Sequence, residues 1–188
     1  AFSGADLEAE KMVKDALIDY RDTLSAENYV YLTGLLTSSA MSRGYARLTL
    51  DYSMGGMQHL SKSKASTAKL LEHYLTWCYA YGMSSLIVLG RKVEAHHYRE
   101  KLERYFADHP EDRYHLGVYL NNLVQIHVEL GETSDVVEDD FRRHDSLMVF
   151  IPLTVVIIKH FYIGKAYIRR NQLLAAPPER RREYEEKF

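Results

Sequence analysis

Tyr119-Leu-Asn-Asn-Leu-Val-Gln-Ile-His-Val-Glu-Leu-Gly131 is the stretch whose reading decides the fold. Leu123 and His127 lie four residues apart and so share one helix face, and Gly131 stands four beyond, where the chain needs a left-handed residue to stop. The spacing predicts a helix from Tyr114 to Leu130. A second helix follows, started by Thr133 or Ser134, with Val136, Val137, Phe141 and Leu147 turned inward. A turn glycine between two helices and a small or apolar residue five past it, here Val136, are what two helices packed at close range require.

The same periodicity extends in both directions. Upstream, Leu7, Met12, Val13, Ala16, Leu17, Tyr20 and Leu24 predict an amphipathic helix from Ala5 to Leu24. Ala26 to Tyr52 reads as one long helix or two, weakened by Gly34 and Gly44 and closed by Met54-Gly55-Gly56-Met57. Leu70, Leu71, Tyr74, Leu75, Cys78 and Tyr79 form the apolar side of the next, which Gly82 is expected to stop. Ser84 or Ser85 would then cap a helix towards Phe106, closed by Asp108-His109-Pro110. Downstream, a helix to about Arg170 follows an apolar run around Pro152, and Pro177-Pro178 breaks the chain. No window alternates strictly between apolar and polar residues, so strands are not expected. The reading is an all-α chain of about seven or eight helices in short antiparallel pairs. It divides into a domain over 1–176 and a charged arm over 177–188.

Composition limits what such a chain does. It has 188 residues, enough for a core without a disulfide or metal staple. Lys plus Arg is 24 and Asp plus Glu 26, a net charge of −2, which offers no global attraction to nucleic acid or an anionic membrane. One cysteine, Cys78, excludes an internal disulfide, a cysteine zinc site or a redox pair. Leu147 to Ile158, interrupted by Pro152, is shorter than the roughly 20 residues that span a bilayer, so no membrane span is expected. A start at Ala1-Phe2-Ser3 is what a processed protein or an excised domain would show.

Leu123, His127, Gly131 and Val136 resemble one unit of the tetratricopeptide and pentatricopeptide helical-repeat class. In that class a leucine, a bulky residue and a glycine follow at intervals of four, and a small residue lies in the helix crossing. The resemblance covers about 40 residues. It departs where an aromatic belongs at Asp140, since Phe141 is one residue late; Leu75 and Tyr79 repeat the interval, but Gly82 comes one early. The resemblance implies a superhelical array of helix pairs with units of about 34 residues. In overall character, a small helical-repeat chain of near-neutral charge also resembles the pentatricopeptide-like accessory subunit on the catalytic head of the euglenozoan mitochondrial ATP synthase. That resemblance implies protein partners in a multi-subunit complex and a location in the mitochondrial matrix, with the cytoplasm as the alternative.

Candidate chemistry is sparse. Glu94-Ala-His-His97 has the Glu-x-x-His spacing of di-iron bundles, but no second copy exists, and Asp112-Arg-Tyr-His115 is the nearest substitute. The nine histidines scatter without a His-x-His spacing. His127 reads as a packed core histidine and Cys78 as a small buried hydrophobe. Gly55-Gly56 lacks the lysine of a phosphate loop, and no nucleophile elbow occurs. The expectation is therefore no catalytic, cofactor or metal residue. The fifteen tyrosines suit a surface that is apolar yet able to hydrogen-bond. Tyr184 and Phe188 are the candidate anchors of a partner-docking arm. The leading functional reading is a non-enzymatic interaction subunit. An RNA-binding pentatricopeptide-type module and a helical di-metal oxidase are the alternatives, with DNA not expected and RNA disfavoured by the charge.

Overall fold

The computed structural model describes residues 4–62, 68–132, 134, 136–148 and 155–187. Among these residues there is no strand, and the all-α expectation holds. The helices are α1 (Gly4–Asp19), α2 (Ala26–Ser42), α3 (Ala46–Lys62), α4 (Ala68–Val88), α5 (Lys92–Asp108), α6 (Arg113–Leu130), α7 (Val136–Met148), α8 (Val155–Ala175) and α9 (Arg181–Lys187), with a 3-10 turn at Pro178–Arg180.

Three glycines set the punctuation. Gly44, Gly90 and Gly131 have φ of 76°, 75° and 64°, and they end α2, α4 and α6. Each stops its helix with the same two backbone bonds. The glycine N–H donates to the carbonyl three residues back, at 2.9, 2.9 and 3.1 Å, and the next N–H donates to the carbonyl five residues back from itself, at 3.0, 2.8 and 3.0 Å. This is the Schellman arrangement, which uses the left-handed residue to satisfy carbonyls a helix end leaves open.

The recurrence extends into the helices. Eight, seven and four residues before each glycine stand Leu36, Thr37 and Ala40; Gly82, Met83 and Leu86; Leu123, Val124 and His127, all buried. Five residues after the first two glycines stand Thr49 and Ala95, both small and buried. Val136 holds that place after Gly131; its side chain lies outside the described residues. One helix cap is thus built three times, at the ends of α2, α4 and α6.

Several expected boundaries are corrected. Gly82 does not stop α4 but lies inside it, where a Cβ would stand 3.0 Å from the Tyr98 ring; the stop is Gly90. Ser84 and Ser85 are accordingly buried within α4, and no helix begins at them. Gly55 and Gly56 lie inside α3, with a Cβ on Gly56 only 3.2 Å from Thr33 and 3.3 Å from the Cys78 sulfur. The first helix ends at Asp19, short of Leu24, because Ser25 turns extended (φ −62°, ψ 153°) and caps α2 by accepting the Asn28 N–H. Thr133 and the run around Pro152 lie outside the described residues.

The chain divides into two compact units, Ala1–Arg104 and Tyr105–Phe188. In the first, α2, α3 and α4 pack on one another and α1 lies on α2. Glu10, buried, ties α1 to the end of α2 through Arg43 and pairs within its own helix with Lys14 at 2.7 Å. Burial pushes the Glu10 carboxyl up, but the bonds and charges of Lys14 and Arg43 outweigh it and hold it below the usual range. In the second unit, α6 packs on α7 and α8 around Val124, Val137, Phe141, Phe161 and Ile168. Gly164 makes this fit possible, since a Cβ there would fall 2.5 Å from Val124 Cγ1.

Candidate functional site

In the second unit, several charged side chains of α7 meet residues of the helices beside it. His127 of α6 and Asp140 of α7 are both buried, and His127 Nε2 lies 3.0 Å from Asp140 Oδ2. Arg143 approaches the other carboxylate oxygen at 3.7 Å. Two residues earlier on α7, Glu138 receives the guanidinium of Arg169 from α8 through both nitrogens, the Nη2–Oε2 bond measuring 2.8 Å. Arg169 also donates to Gln172 Oε1 at 2.9 Å and lies 5.1 Å from the Phe141 ring centre. Lys165 donates to Asp145 at 2.7 Å. A two-pronged arginine–carboxylate bond fixes orientation as well as distance, so α8 is held in both position and rotation on α7.

Two of the residues singled out in the sequence enter this arrangement. His127 is the packed core histidine its spacing suggests, but it is bonded to the very position, Asp140, where the repeat class wants an aromatic. Leu123 is fully buried beside it, and Gly131 is the left-handed cap. His144 is legible in the sequence only as one more histidine. It is wholly buried with its ring 3.3 Å from that of Phe161 and 5° from parallel, and among the described residues neither nitrogen has a hydrogen-bond partner. Burial pushes its pKa down to about 4, with Asp145 raising and Lys165 lowering it further by lesser amounts. His144 is therefore a neutral ring in the core at pH 7.

The other sequence candidates are dispersed. Glu94 is bound by Arg91 on both oxygens, at 2.7 and 2.6 Å, while exposed His97 leans to Glu100 at 3.9 Å. Asp112 caps α6, accepting from His115 N–H at 3.4 Å, pairing with its Nδ1 at 2.9 Å and accepting from the Tyr105 hydroxyl at 2.9 Å. Among the described residues no three His, Cys, Asp or Glu side chains stand together where they could share a cation. Cys78 is fully buried and its thiol is pushed up to about 12, the state of an inert hydrophobe.

The expected docking arm is corrected in part. Tyr184 is only 6% exposed, packed where α9 meets α8, with the Arg180 guanidinium 5.2 Å from its ring centre. Residues 178–187 thus belong to the second unit, and Tyr184 is not available as an exposed anchor. Phe188 lies outside the described residues.

What α8 does expose lies on the side away from its clamps. Ile163 and Leu174 are each 65% exposed and Tyr167 53%, with Arg170, also exposed, between them. At intervals of four, three and four residues they form one stripe along the helix. This stripe is apolar at three places and cationic at one. No helix among the described residues is long and apolar enough to cross a membrane. No family model matches the chain, and no curated protein or solved structure matches it.

Proposed function

We propose that the chain is a non-enzymatic interaction subunit, an array of helical hairpins that presents its faces to protein partners within a larger assembly. The observation that carries this reading is the threefold recurrence of one helix cap, at Gly44, Gly90 and Gly131, with matching buried positions before each. Stacked hairpins of this kind offer extended faces to other proteins, because each unit buries one side on its neighbours and leaves the other free. Exposed Tyr20, Tyr45, Tyr162 and Tyr167 add the residue type most useful at such faces. The glycines lie forty-six and forty-one residues apart, a longer unit than the 34 or so of the tetratricopeptide class. The reading therefore leans on the hairpin geometry more than on that class. A place in a mitochondrial complex such as the ATP synthase is the specific form of the proposal that the overall character suggests.

The test is to tag the chain at its own locus, purify it gently and identify what comes with it. A fixed set of proteins in stoichiometric amounts, retained after nuclease treatment, is expected. Purification alone, or with RNA that carries the retained material, would replace this reading.

A further inference from the structure

Three helices of the first unit leave a slot between them. Among the described residues α1 packs on α2 and makes no close helix packing with α3. A cleft of about 330 Å³ lies between α1 and α3, at the small end of the range that single ligands occupy. Its floor is the face of α2 from Tyr29 to Leu36. Lys14 of α1 stands in one wall, and Asp51 and Tyr52 of α3 stand in the other.

Gly55, in the same wall of α3, keeps the slot open. It lies inside the helix, where alanine would hold the backbone better. A Cβ there would meet nothing within 4 Å among the described residues, so no packing of the fold calls for glycine. Its neighbour Gly56, by contrast, is needed against Thr33 and Cys78. A glycine that serves neither a turn nor a close neighbour is the kind that lets a ligand approach the backbone.

The two ends of the slot differ. At one, Tyr29 is stacked on His59 with ring centres 3.7 Å apart and planes 16° from parallel. Burial first, and then the cations Arg21 and Lys62, hold the His59 pKa below its ordinary value, so both rings are neutral at pH 7. The pair is a fixed aromatic platform. Because α3 runs back along α2, with His59 beside Tyr29 and Gly56 beside Thr33, Asp51 and Tyr52 lie towards the other end. That is about 10 Å along the axis at 1.5 Å per residue. There the Lys14 ammonium donates to Glu10 at 2.7 Å and to the Tyr52 hydroxyl oxygen. Its third N–H and the Tyr52 O–H remain as donors. Asp51, exposed, has Arg47 at 3.8 Å from one oxygen and supplies an acceptor.

We propose that this slot binds a free aromatic α-amino acid, with its ring on Tyr29, its carboxylate at Lys14 and Tyr52, and its ammonium at Asp51. Charge selects the zwitterion. A carboxylate alone would leave Asp51 facing a like charge, and an amine alone would face Lys14. The inference stands on the first unit and does not need the assembly reading.

Titration of the purified, isotope-labelled whole chain with L-tryptophan, followed by amide NMR, tests it. Saturable shifts at Gly55 and Thr33 are expected, with a Kd of about 0.1–1 mM, the range a ligand of this size reaches. Tryptamine, which lacks the carboxylate, and indolepropionate, which lacks the ammonium, should each bind about tenfold more weakly. Gly55→Leu places its side chain in the slot and improves helix propensity. It should melt no lower than the parent and weaken binding by about 100-fold. Asp51→Asn should weaken L-tryptophan by about tenfold without weakening indolepropionate. No saturable shift up to about 10 mM, shifts confined to other parts of the chain, or parent-like binding by Gly55→Leu would each overturn the proposal. So would tryptamine or indolepropionate binding as tightly as L-tryptophan. Should Gly55→Leu fail to fold, Asp51→Asn, an exposed position, decides, and an unchanged affinity for L-tryptophan there overturns the assignment.

Discussion

At the scale of single residues, His144 is the most exacting feature of the second unit. An imidazole in the unfolded chain titrates near 6.5, whereas in the fold burial holds it at about 4. The unfolded state therefore takes up its proton first. The contribution of this residue is whole above pH 6.5, is lost as the pH falls from 6.5 towards 4, and levels off below that. Its size is roughly 3 kcal/mol. His144→Phe keeps a ring against Phe161 and removes both unpartnered nitrogens, so the difference in stability between variant and parent should grow in the variant's favour over that window. Urea titrations at pH 7.5, 5.5 and 4 would measure it, and a constant difference across the three would show that His144 is not charged on unfolding alone.

Two glycine roles separate at the same scale. Gly44, Gly90 and Gly131 need a positive φ and have open space around the missing Cβ, so a valine at any of them should cost about 1 kcal/mol or more through the backbone. Gly164 has helical backbone and no room. Gly164→Ala drives a methyl into Val124 and should cost about 1–3 kcal/mol in spite of alanine's better helix propensity. Thermal melts of Gly90→Val and Gly164→Ala check the two mechanisms independently, and an unshifted midpoint in either would remove the role assigned to that glycine.

Elements are where the chain is most and least legible. The hairpin α6–α7 can be read because Leu123, His127 and Gly131 sit at regular intervals and Gly131 is the sole breaker near its helix end. The hairpin α4–α5 cannot, because Gly82 and Gly90 both stand on the helix and only packing tells them apart. The first fits a close approach to Tyr98, the second a turn. Gly55-Gly56 misleads for the same reason. The face of α8 used in the core is hidden too: Phe161 and Ile168 on one side and Ile163 and Leu174 on the other put apolar residues on both sides of the helix, and periodicity then carries no direction. The pairing of the α7 carboxylates is not legible either, since nothing local to the sequence shows that Glu138 and Asp140 meet partners on α8 and α6.

The His127–Asp140 bond yields an element-scale prediction. The positions equivalent to His127 in the other two hairpins are Ala40 and Leu86, so the hairpin itself is satisfied by an apolar residue there. Asp140→Ala alone leaves a buried imidazole nitrogen without its acceptor and should cost about 1–3 kcal/mol. His127→Leu with Asp140→Leu should recover most of that loss, provided Arg143 can turn to solvent. A double-mutant cycle followed by denaturant unfolding gives the coupling directly; additive losses would mean the two side chains do not act as a pair. For α9, Tyr184→Ala should lower the melting temperature of the chain, since the ring is buried on its own fold. An unchanged melt would return that segment to the role of a free arm.

For the whole molecule, a recurring helix cap is the observation and an interaction role the proposal built on it. The recurrence is physical: three left-handed glycines, three identical caps and matching buried positions before each. The role is the step that a measurement must carry. Antibody or tag detection of the chain in gently lysed source cells, resolved by size on a density gradient after nuclease treatment, addresses it most directly. The account predicts that nearly all of the chain sediments in a particle many times larger than its 21.8 kDa and well beyond a dimer. Recovery of the chain as a monomer or dimer at its natural abundance would contradict it.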